Sequence, residues 1–137
     1  MYISTKTGYA LRALVELALA GENEPLSLTE LAQRQQLPFK YLEQLFRKLK
    51  KAELVLSRKG SRGGYLLARK KAEISMQDIM NAVEDSQQYS YCSIDKFDDD
   101  YCQGSGCGFR SLWDRIGTDL EHYFSGISLS EIVNKYV

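Results

Sequence analysis

Residues 27–51, SLTELAQRQQLPFKYLEQLFRKLKK, contain two short helical patterns with a break between them. Ser27 and Glu30 have the spacing of a capping box, which marks a helix start, and this first helix is expected to end near Gln35. Pro38 suits the first turn of the second helix, since it lacks the N–H that a helix start leaves unpaired. The second pattern separates an apolar stripe from a polar and basic side: Leu42, Leu45, Phe46 and Leu49 against Lys40, Gln44, Arg47, Lys48 and Lys51. The stretch predicts a helix-turn-helix whose second helix presents a basic face.

Two short strand-like runs follow directly, at residues 55–58 and 65–68. The residues between them, KGSRGG, form a glycine-rich tip that bears cations, as in a tight hairpin. This tip is not a phosphate loop, because no Gly-Lys-Ser/Thr motif follows a strand there. A basic hairpin placed after a helix-turn-helix predicts a wing.

A helix of this kind enters the major groove of double-stranded DNA with its N-terminal residues nearest the base edges. The expected base-proximal residues are Phe39, Lys40, Tyr41, Glu43 and Gln44, of which Gln44 suits adenine and Glu43 suits cytosine. Phosphate contacts are expected from Arg47, Lys48 and Lys51 of the helix, and backbone or minor-groove contacts from Arg58, Lys59 and Arg62 of the wing. The structural alternative is an amphipathic helix with a solvated basic face, followed by an ordinary hairpin.

Charge is distributed unevenly along a chain whose formal net charge is zero. Residues 1–71 contain 14 Lys/Arg and 6 Asp/Glu, a net charge of +8, whereas residues 72–137 contain 4 and 12, a net charge of −8. A basic half suits a polyanionic partner, and an acidic half would be kept away from it.

The remaining patterns are helical. A first helix is predicted at residues 5–20 with Gly21 as its stop, and capped starts like that of Ser27 recur at Ser75 and Ser128. A large aromatic stripe between Phe109 and Phe124 predicts a long helix, part of which meets a second copy of the chain. The predicted fold is mainly α with a small β-hairpin wing: a winged helix-turn-helix at 1–85, a cysteine-bearing loop at 86–107, and a dimerisation helix and C-terminal helix at 108–137.

Composition excludes several classes of protein. A length of 137 residues with 44% hydrophobic residues fits one globular domain with an appended helix. The sequence has no run of about 18 apolar residues and no secretory signal, so a cytoplasmic protein without a membrane partner is expected. One histidine and no nucleophile–base pair argue against an enzyme.

Three cysteines, Cys92, Cys102 and Cys107, lie in a stretch without helical or strand periodicity. The odd number argues against a closed disulfide framework, and the lack of a C-x-x-C pair argues against a zinc ribbon. Thiolates in one glycine-bearing loop can hold an iron–sulfur cluster, which prefers soft sulfur ligands. Spacing alone leaves structural cysteines as an alternative.

Several motifs, in this order, resemble those of the Rrf2 family of winged-helix regulators, the group of IscR, NsrR and RirA. They are TKTGYA at 5–10, YLEQLF at 41–46, Leu54–Val55 with Arg58, and GGYLL at 63–67, followed by the cysteine segment and the long helix. The resemblance covers essentially the whole chain.

The resemblance implies a homodimer joined through the long helix, with each copy on one half of a near-palindromic DNA site. It also implies an iron–sulfur cluster, 2Fe-2S in the favoured case and 4Fe-4S otherwise, held by Cys92, Cys102 and Cys107.

The fourth ligand of the family pattern is not matched. Where IscR-like members have a histidine ligand, this chain has Arg110, whose guanidinium offers no lone pair. Where other members have an acidic ligand in the first helix, this chain has Gly8 and Arg12. A loop aspartate, Glu16, His122, a small thiol and water all stay open as the fourth ligand.

Three functional hypotheses follow. The first is a sequence-specific transcriptional regulator whose DNA affinity is modulated by the cluster, as a sensor of iron, redox state or nitric oxide. The second keeps DNA binding but replaces the cluster with thiol oxidation at Cys102 and Cys107. The third is a metal-binding scaffold dimer that does not bind DNA.

Overall fold

The computed structural model describes residues 3–85 and 106–137, and these form six α-helices, a 3-10 turn and a two-stranded antiparallel hairpin. This agrees with the predicted fold class. In chain order the elements are α1 (Thr5–Ala20), α2 (Leu28–Gln35), α3 (Phe39–Lys51), β1 (Val55–Arg58), β2 (Gly64–Leu67), the 3-10 turn (Lys71–Glu73), α4 (Met76–Val83), α5 (Arg110–Ser125) and α6 (Leu129–Tyr136).

Side-chain caps explain where α2 and α4 begin. Ser27 and Ser75 each accept a hydrogen bond from the backbone N–H three residues later. Glu30 and Asp78 return a bond to the N–H of the capping serine, so both capping boxes are complete. Each box satisfies two N–H groups that a helix start leaves unpaired, which is why these starts were predictable from sequence.

Three helix ends differ in detail from the predictions. Pro38 is the N-cap of α3, one position before the predicted first turn. Ser128 caps α6, but the carboxylate of Glu131 accepts from the Lys135 ammonium at 2.7 Å instead of completing a capping box. Helix α4 ends at Val83, although the helix that begins after Ser75 is expected from the sequence to reach about Asp85.

The core is built around α1 and the apolar stripe of α3. Leu42, Leu45, Phe46 and Leu49 are all buried, as the periodicity predicts. Helix α1 packs against α2, α3, α4, α6 and β2, so the helix-turn-helix lies on a common support.

The last helix returns to this core. The N–H of Leu129 donates to the carbonyl of Ile74 at 2.8 Å, and the N–H of Met76 donates to the carbonyl of Ile127 at 2.8 Å. Leu129 is fully buried, and α6 packs against α1 and the 3-10 turn. The end of the chain therefore belongs to the same packed unit as the helix-turn-helix.

Backbone hydrogen bonds and close packing attach the wing to the start of α2. The hairpin pairs Val55 with Leu67 and Arg58 with Gly64. Strand β2 also forms a bridge in which the backbone groups of Leu26 and Tyr65 exchange hydrogen bonds of 3.1 and 2.8 Å. A Cβ added at Gly64 would lie 2.5 Å from the carbonyl carbon and oxygen of Leu26. Only glycine allows the two backbones to approach this closely.

Gly64→Ala should therefore push the wing away from α2 and lower the free energy of unfolding by about 1–3 kcal/mol, the usual cost of overpacking. Urea denaturation measures this change. Gly8→Ala is the matched control, because a Cβ there meets nothing within 4 Å and position 8 lies inside α1. This control should be neutral or stabilising by about 0.5–1 kcal/mol. Equal denaturation midpoints for Gly64→Ala and wild type would contradict the close approach.

Candidate nucleic-acid interface

The outward face of α3 follows from its buried face. Because Leu42, Leu45, Phe46 and Leu49 point into the core, the positions on the opposite side of the helix must face solvent. Five of the predicted DNA contacts are exposed there: Lys40, Glu43, Gln44, Arg47 and Lys51. Phe39 stands at the first position of α3 with 47% of its surface exposed, an apolar group at the end of the helix that is expected to reach base edges.

A groove lies between α3 and the wing. It is lined by Glu43, Arg47, Lys50, Lys51 and Tyr65. Arg47 lies 3.8 Å from the Glu43 carboxylate, one helical turn earlier, in a pair that is exposed on both sides. Such a pair is weak in water. The Arg47 guanidinium can therefore exchange this carboxylate for a phosphate at little cost.

Lys50 is a groove residue that the sequence analysis missed. Its ammonium donates to the Ser57 hydroxyl at 2.9 Å and so connects the end of α3 to β1. Helical periodicity alone places Lys50 beside the apolar stripe. Only the position of the following hairpin shows that it lines the groove.

The tip of the wing presents the predicted cations. Arg58, Lys59 and Arg62 are exposed around a turn in which the N–H of Gly63 donates to the carbonyl of Gly60 at 3.0 Å. Gly60 has φ +120°, a conformation that side chains rarely adopt. Phe46 and Tyr65 form an edge-to-face contact, with centroids 4.8 Å apart, that connects the wing to the underside of α3. The wing and the helix thus hold their cations on one connected frame.

Two of the predicted DNA contacts, Tyr41 and Lys48, also have partners within the protein. The Tyr41 ring packs edge-on against Tyr9 of α1, with centroids 5.5 Å apart. The Lys48 ammonium donates to the Asp85 carboxylate at 2.8 Å and lies 3.3 Å from the carbonyl of Val83. Both lie on the flank of α3 that faces α1 and α4.

A polar network joins the end of α4 to α1 and α3. Asp85 accepts from Lys48 and also from Lys6, and these two hydrogen bonds, with the charges behind them, lower the pKa of Asp85 to about 2. Glu84 accepts from the Ser4 hydroxyl at 2.6 Å and from the hydroxyl of Thr7, which is fully buried. Burial opposes ionisation of Glu84, but these hydrogen bonds outweigh it and hold the pKa of its carboxyl below its usual range.

Of the three predicted cluster ligands, Cys107 is described, and Cys92 and Cys102 lie outside the described residues. Cys107 is half-buried just before α5, and its carbonyl accepts from the N–H of Arg110 at 3.2 Å. Phe109, the N-cap of α5, makes no side-chain cap bond. No cluster of three or more metal-ligating side chains occurs within residues 3–85 and 106–137.

The candidates for a fourth ligand stand in different environments. Glu16 accepts from Gln35 at 2.5 Å and lies 3.3 Å from Arg34, so α2 already occupies its carboxylate. His122 is exposed in the last turn of α5. Arg110 occupies the position, three residues after Cys107, at which the IscR-like pattern has a histidine.

None of the helices described here has the length and apolar composition that a membrane crossing needs.

A helix-turn-helix with an exposed basic helix, followed by a basic wing, defines a winged-helix DNA-binding protein. Comparison with known proteins makes the class more specific. A model of the Rrf2 family, described as an iron-dependent transcriptional regulator, matches residues 3–135. The chain belongs to the Rrf2 family of transcriptional regulators.

Its relatives and structural neighbours agree with this assignment. The chain is 34% identical over 135 residues to the HTH-type transcriptional regulator IscR of Cronobacter sakazakii, covering 98% of this chain and 81% of that protein. The structure of T. potens IscR superposes with a TM-score of 0.76 at 33% identity, covering 100% of this chain and 89% of the other. The oxidised form of Staphylococcus aureus CymR superposes with a TM-score of 0.73 at 30% identity, covering 100% and 98%. The hypothesis of a scaffold without DNA binding is set aside by this family membership.

Proposed function

We propose that two copies of this chain bind a near-palindromic DNA site, and that an iron–sulfur cluster held by the cysteine segment modulates the affinity. The observation that carries the DNA-binding proposal is the common exposure of the outer face of α3 and the wing tip on one rigid frame. In this proposal residues 1–85 bind DNA, residues 86–107 bind the cluster, and α5 joins the two copies. Helix α6 serves to close the DNA-binding core. The chain is assigned no enzymatic activity.

Base reading is assigned to the start of α3. Phe39 can contact a thymine methyl group, Gln44 can pair with adenine through two hydrogen bonds, and Glu43 can accept from the amino group of cytosine. Lys40 stands on the same exposed face, within reach of guanine or a phosphate. Four residues supply the sequence preference under this proposal.

Phosphate contacts are assigned to the cations that surround this face. Arg47 and Lys51 extend along the outer side of α3, and Arg58, Lys59 and Arg62 extend from the wing. These contacts fix position and orientation on the duplex without reading sequence. They also make affinity fall with added salt, because each neutralised phosphate releases condensed counterions.

Dimerisation is assigned to the exposed apolar face of α5. Phe109, Leu112 and Tyr123 are 67%, 45% and 64% exposed, and of this helix only Phe124 is buried in the single chain. Several large apolar groups aligned on one helix face mark an association surface rather than scattered surface residues. A second copy of α5 would cover them in an isologous interface.

Cluster binding is assigned to Cys92, Cys102 and Cys107. Thiolate is the donor that iron–sulfur clusters prefer, and the half-buried thiol of Cys107 lies directly before α5. The description of the family as iron-dependent supports the same assignment. The donor chemistry at Cys107 therefore fits such a cluster. When bound, the cluster would supply a centre sensitive to iron supply and oxidation.

Thiol oxidation without a cluster is the second candidate function. It is supported by the likeness to a structure of S. aureus CymR in its oxidised form. In this case Cys102 and Cys107, four residues apart in the chain, would form the reactive pair. The DNA-binding surface would be the same.

Arg47→Gln should weaken binding to every duplex by about tenfold, or about 1.4 kcal/mol, and lower the slope of log affinity against log salt by about 1, since one phosphate contact is lost. Gln44→Ala should instead remove the preference for one base at a cost of about 1–3 kcal/mol on the preferred duplex. Fluorescence anisotropy over a salt series measures both. Arg115→Gln, at an exposed ion pair on α5, is the control and should leave affinity unchanged. A Gln44→Ala protein that kept full base preference would refute the base-reading assignment.

Leu112→Glu should convert the dimer to a monomer, because it places a charge in the apolar interface, where an unpaired charge is costly. Sedimentation velocity measures the mass, and DNA affinity should fall with it because only one half-site is held. Thr118→Glu, on the opposite side of α5, should stay dimeric. If wild type is monomeric at micromolar concentration, or if Leu112→Glu stays dimeric, α5 is not the interface.

Reconstitution with ferrous iron and sulfide under argon should give a brown protein with visible charge-transfer absorption. Cys107→Ser should lose this colour, and His122→Ala, which alters the lone histidine, should keep it if a non-histidine ligand completes the site. A wild-type protein that stays colourless and free of iron would reject the cluster. Loss of DNA binding on treatment with diamide, abolished in Cys102→Ser, would then support the thiol mechanism.

A further inference from the structure

A cavity of about 400 Å³ opens between the end of α1, the end of β2 and the 3-10 turn. None of the residues that line it is assigned above to DNA, cluster or dimer binding. Its apolar walls come from two elements, Leu17 and Ala18 of α1 and Leu67 and Ala68 at the end of β2. Small-molecule sites are concave, mostly apolar and roughly 300–1,000 Å³ in volume. The cavity therefore has the size and the walls of a site for a small ligand.

The end of α1 gives this cavity a negative side. Glu22 lines the cavity directly after the helix, next to Gly21, whose N–H donates to the carbonyl of Leu17 at 3.3 Å. The carbonyls of residues 18–20 accept no backbone hydrogen bond from the described part of the chain, and the last turn of α1 contains no basic residue. A helix C-terminus carries partial negative charge on such carbonyls, and the Glu22 carboxylate adds to it. This side favours a cationic group such as an ammonium.

The segment that leads from β2 into the 3-10 turn gives the cavity a positive side. Arg69, Lys70 and Lys71 line it. Among the residues that the structure describes, Lys70 and Lys71 have no carboxylate within 4 Å, and Arg69 has Asp78 at 3.9 Å in a partly exposed pair that is weak in water. Glu22 lines the same cavity but lies more than 4 Å from each of these three cations. The opposite charges therefore stand apart and do not neutralise each other.

We propose that this cavity binds a small zwitterion of the α-amino acid class with a branched aliphatic side chain. The ammonium of the ligand faces Glu22 and the end of α1, and its carboxylate faces Lys70 and Lys71. Its side chain lies on Leu17 and Leu67, because aliphatic walls and a volume near the lower end of the usual range suit a small alkyl group. The ligand bridges α1 and the end of β2, so it stabilises the folded chain by mass action.

The test uses the full-length protein without DNA, so its result does not depend on the proposed function. Three probes share one branched alkyl group and differ in charge: leucine carries both charges, 4-methylpentanoate only the carboxylate, and 3-methylbutylamine only the ammonium. Isothermal titration calorimetry at neutral pH measures their affinities. We expect wild type to bind leucine with a dissociation constant of about 1 mM or lower, at least about tenfold more tightly than either singly charged probe.

Variants assign each part of the ligand to its wall of the cavity. Glu22→Gln should weaken leucine until it binds no more tightly than 4-methylpentanoate. The double variant Lys70→Gln/Lys71→Gln should weaken leucine until it binds no more tightly than 3-methylbutylamine. Ala18→Leu should fill the apolar wall and lower the affinity for leucine by at least about tenfold, with circular dichroism and the urea midpoint showing that the chain still folds.

Matched controls remove the same charges outside the cavity. Glu24→Gln changes an exposed carboxylate two residues after Glu22, and Lys135→Gln changes an exposed ammonium on α6. Both should bind leucine as wild type does. The proposal is overturned if wild type does not bind leucine, if it binds a singly charged probe as tightly, or if a folded Ala18→Leu protein or the charge variants of the cavity keep wild-type affinity.

Discussion

Burial of one face of α3 is the constraint on which the rest of the structure depends. Leu42, Phe46 and Leu49 are fully buried, and each such side chain contributes about 1.5–3 kcal/mol relative to an exposed position. Since a helix cannot rotate without exposing this stripe, its opposite face is fixed toward solvent. The orientation of the wing relative to α3 is fixed as well, because Tyr65 packs on Phe46 and its backbone pairs with Leu26. Burial of the apolar stripe of α3 therefore determines where both the base-reading residues and the wing cations point.

Ion pairs neutralise some cations of the basic half of the chain and leave others unpaired. Lys6 and Lys48 pair with Asp85, and Arg69 lies 3.9 Å from Asp78, so carboxylates of the acidic half neutralise these cations on the α4 side. Five cations of α3 and the wing have no carboxylate within 4 Å among the residues that the structure describes: Lys40, Lys51, Arg58, Lys59 and Arg62. Lys70 and Lys71, which follow the wing, are unpaired by the same measure. The face that we assign to DNA therefore keeps unneutralised positive charge, although the formal net charge of the chain is zero.

Most helix and strand boundaries could be predicted from residues close to them in the sequence. The bounds of α1, α2 and β1 agree with the predictions because a cap, a glycine stop or a glycine-rich turn lies within a few positions of each boundary. The return of α6 to the core was not predictable, since the burial of Leu129 beside Ile74 depends on tertiary packing. The same is true of the site: periodicity places Lys48 on the polar side of α3, but only the position of α4 shows that Asp85 holds it. Cys92 and Cys102 lie outside the described residues, so their ligand role stays a prediction.

The central claim is that the outer face of α3 and the wing bind duplex DNA with both sequence preference and phosphate contacts. Selection of duplexes from a random pool with the wild-type protein, followed by anisotropy titrations from low to physiological salt, tests it most directly. The account predicts enrichment of a near-palindromic sequence, tighter binding to it than to unselected DNA, and log affinity that falls linearly with log salt. A protein that enriches no sequence and binds no duplex at low salt, with or without a cluster, would contradict it.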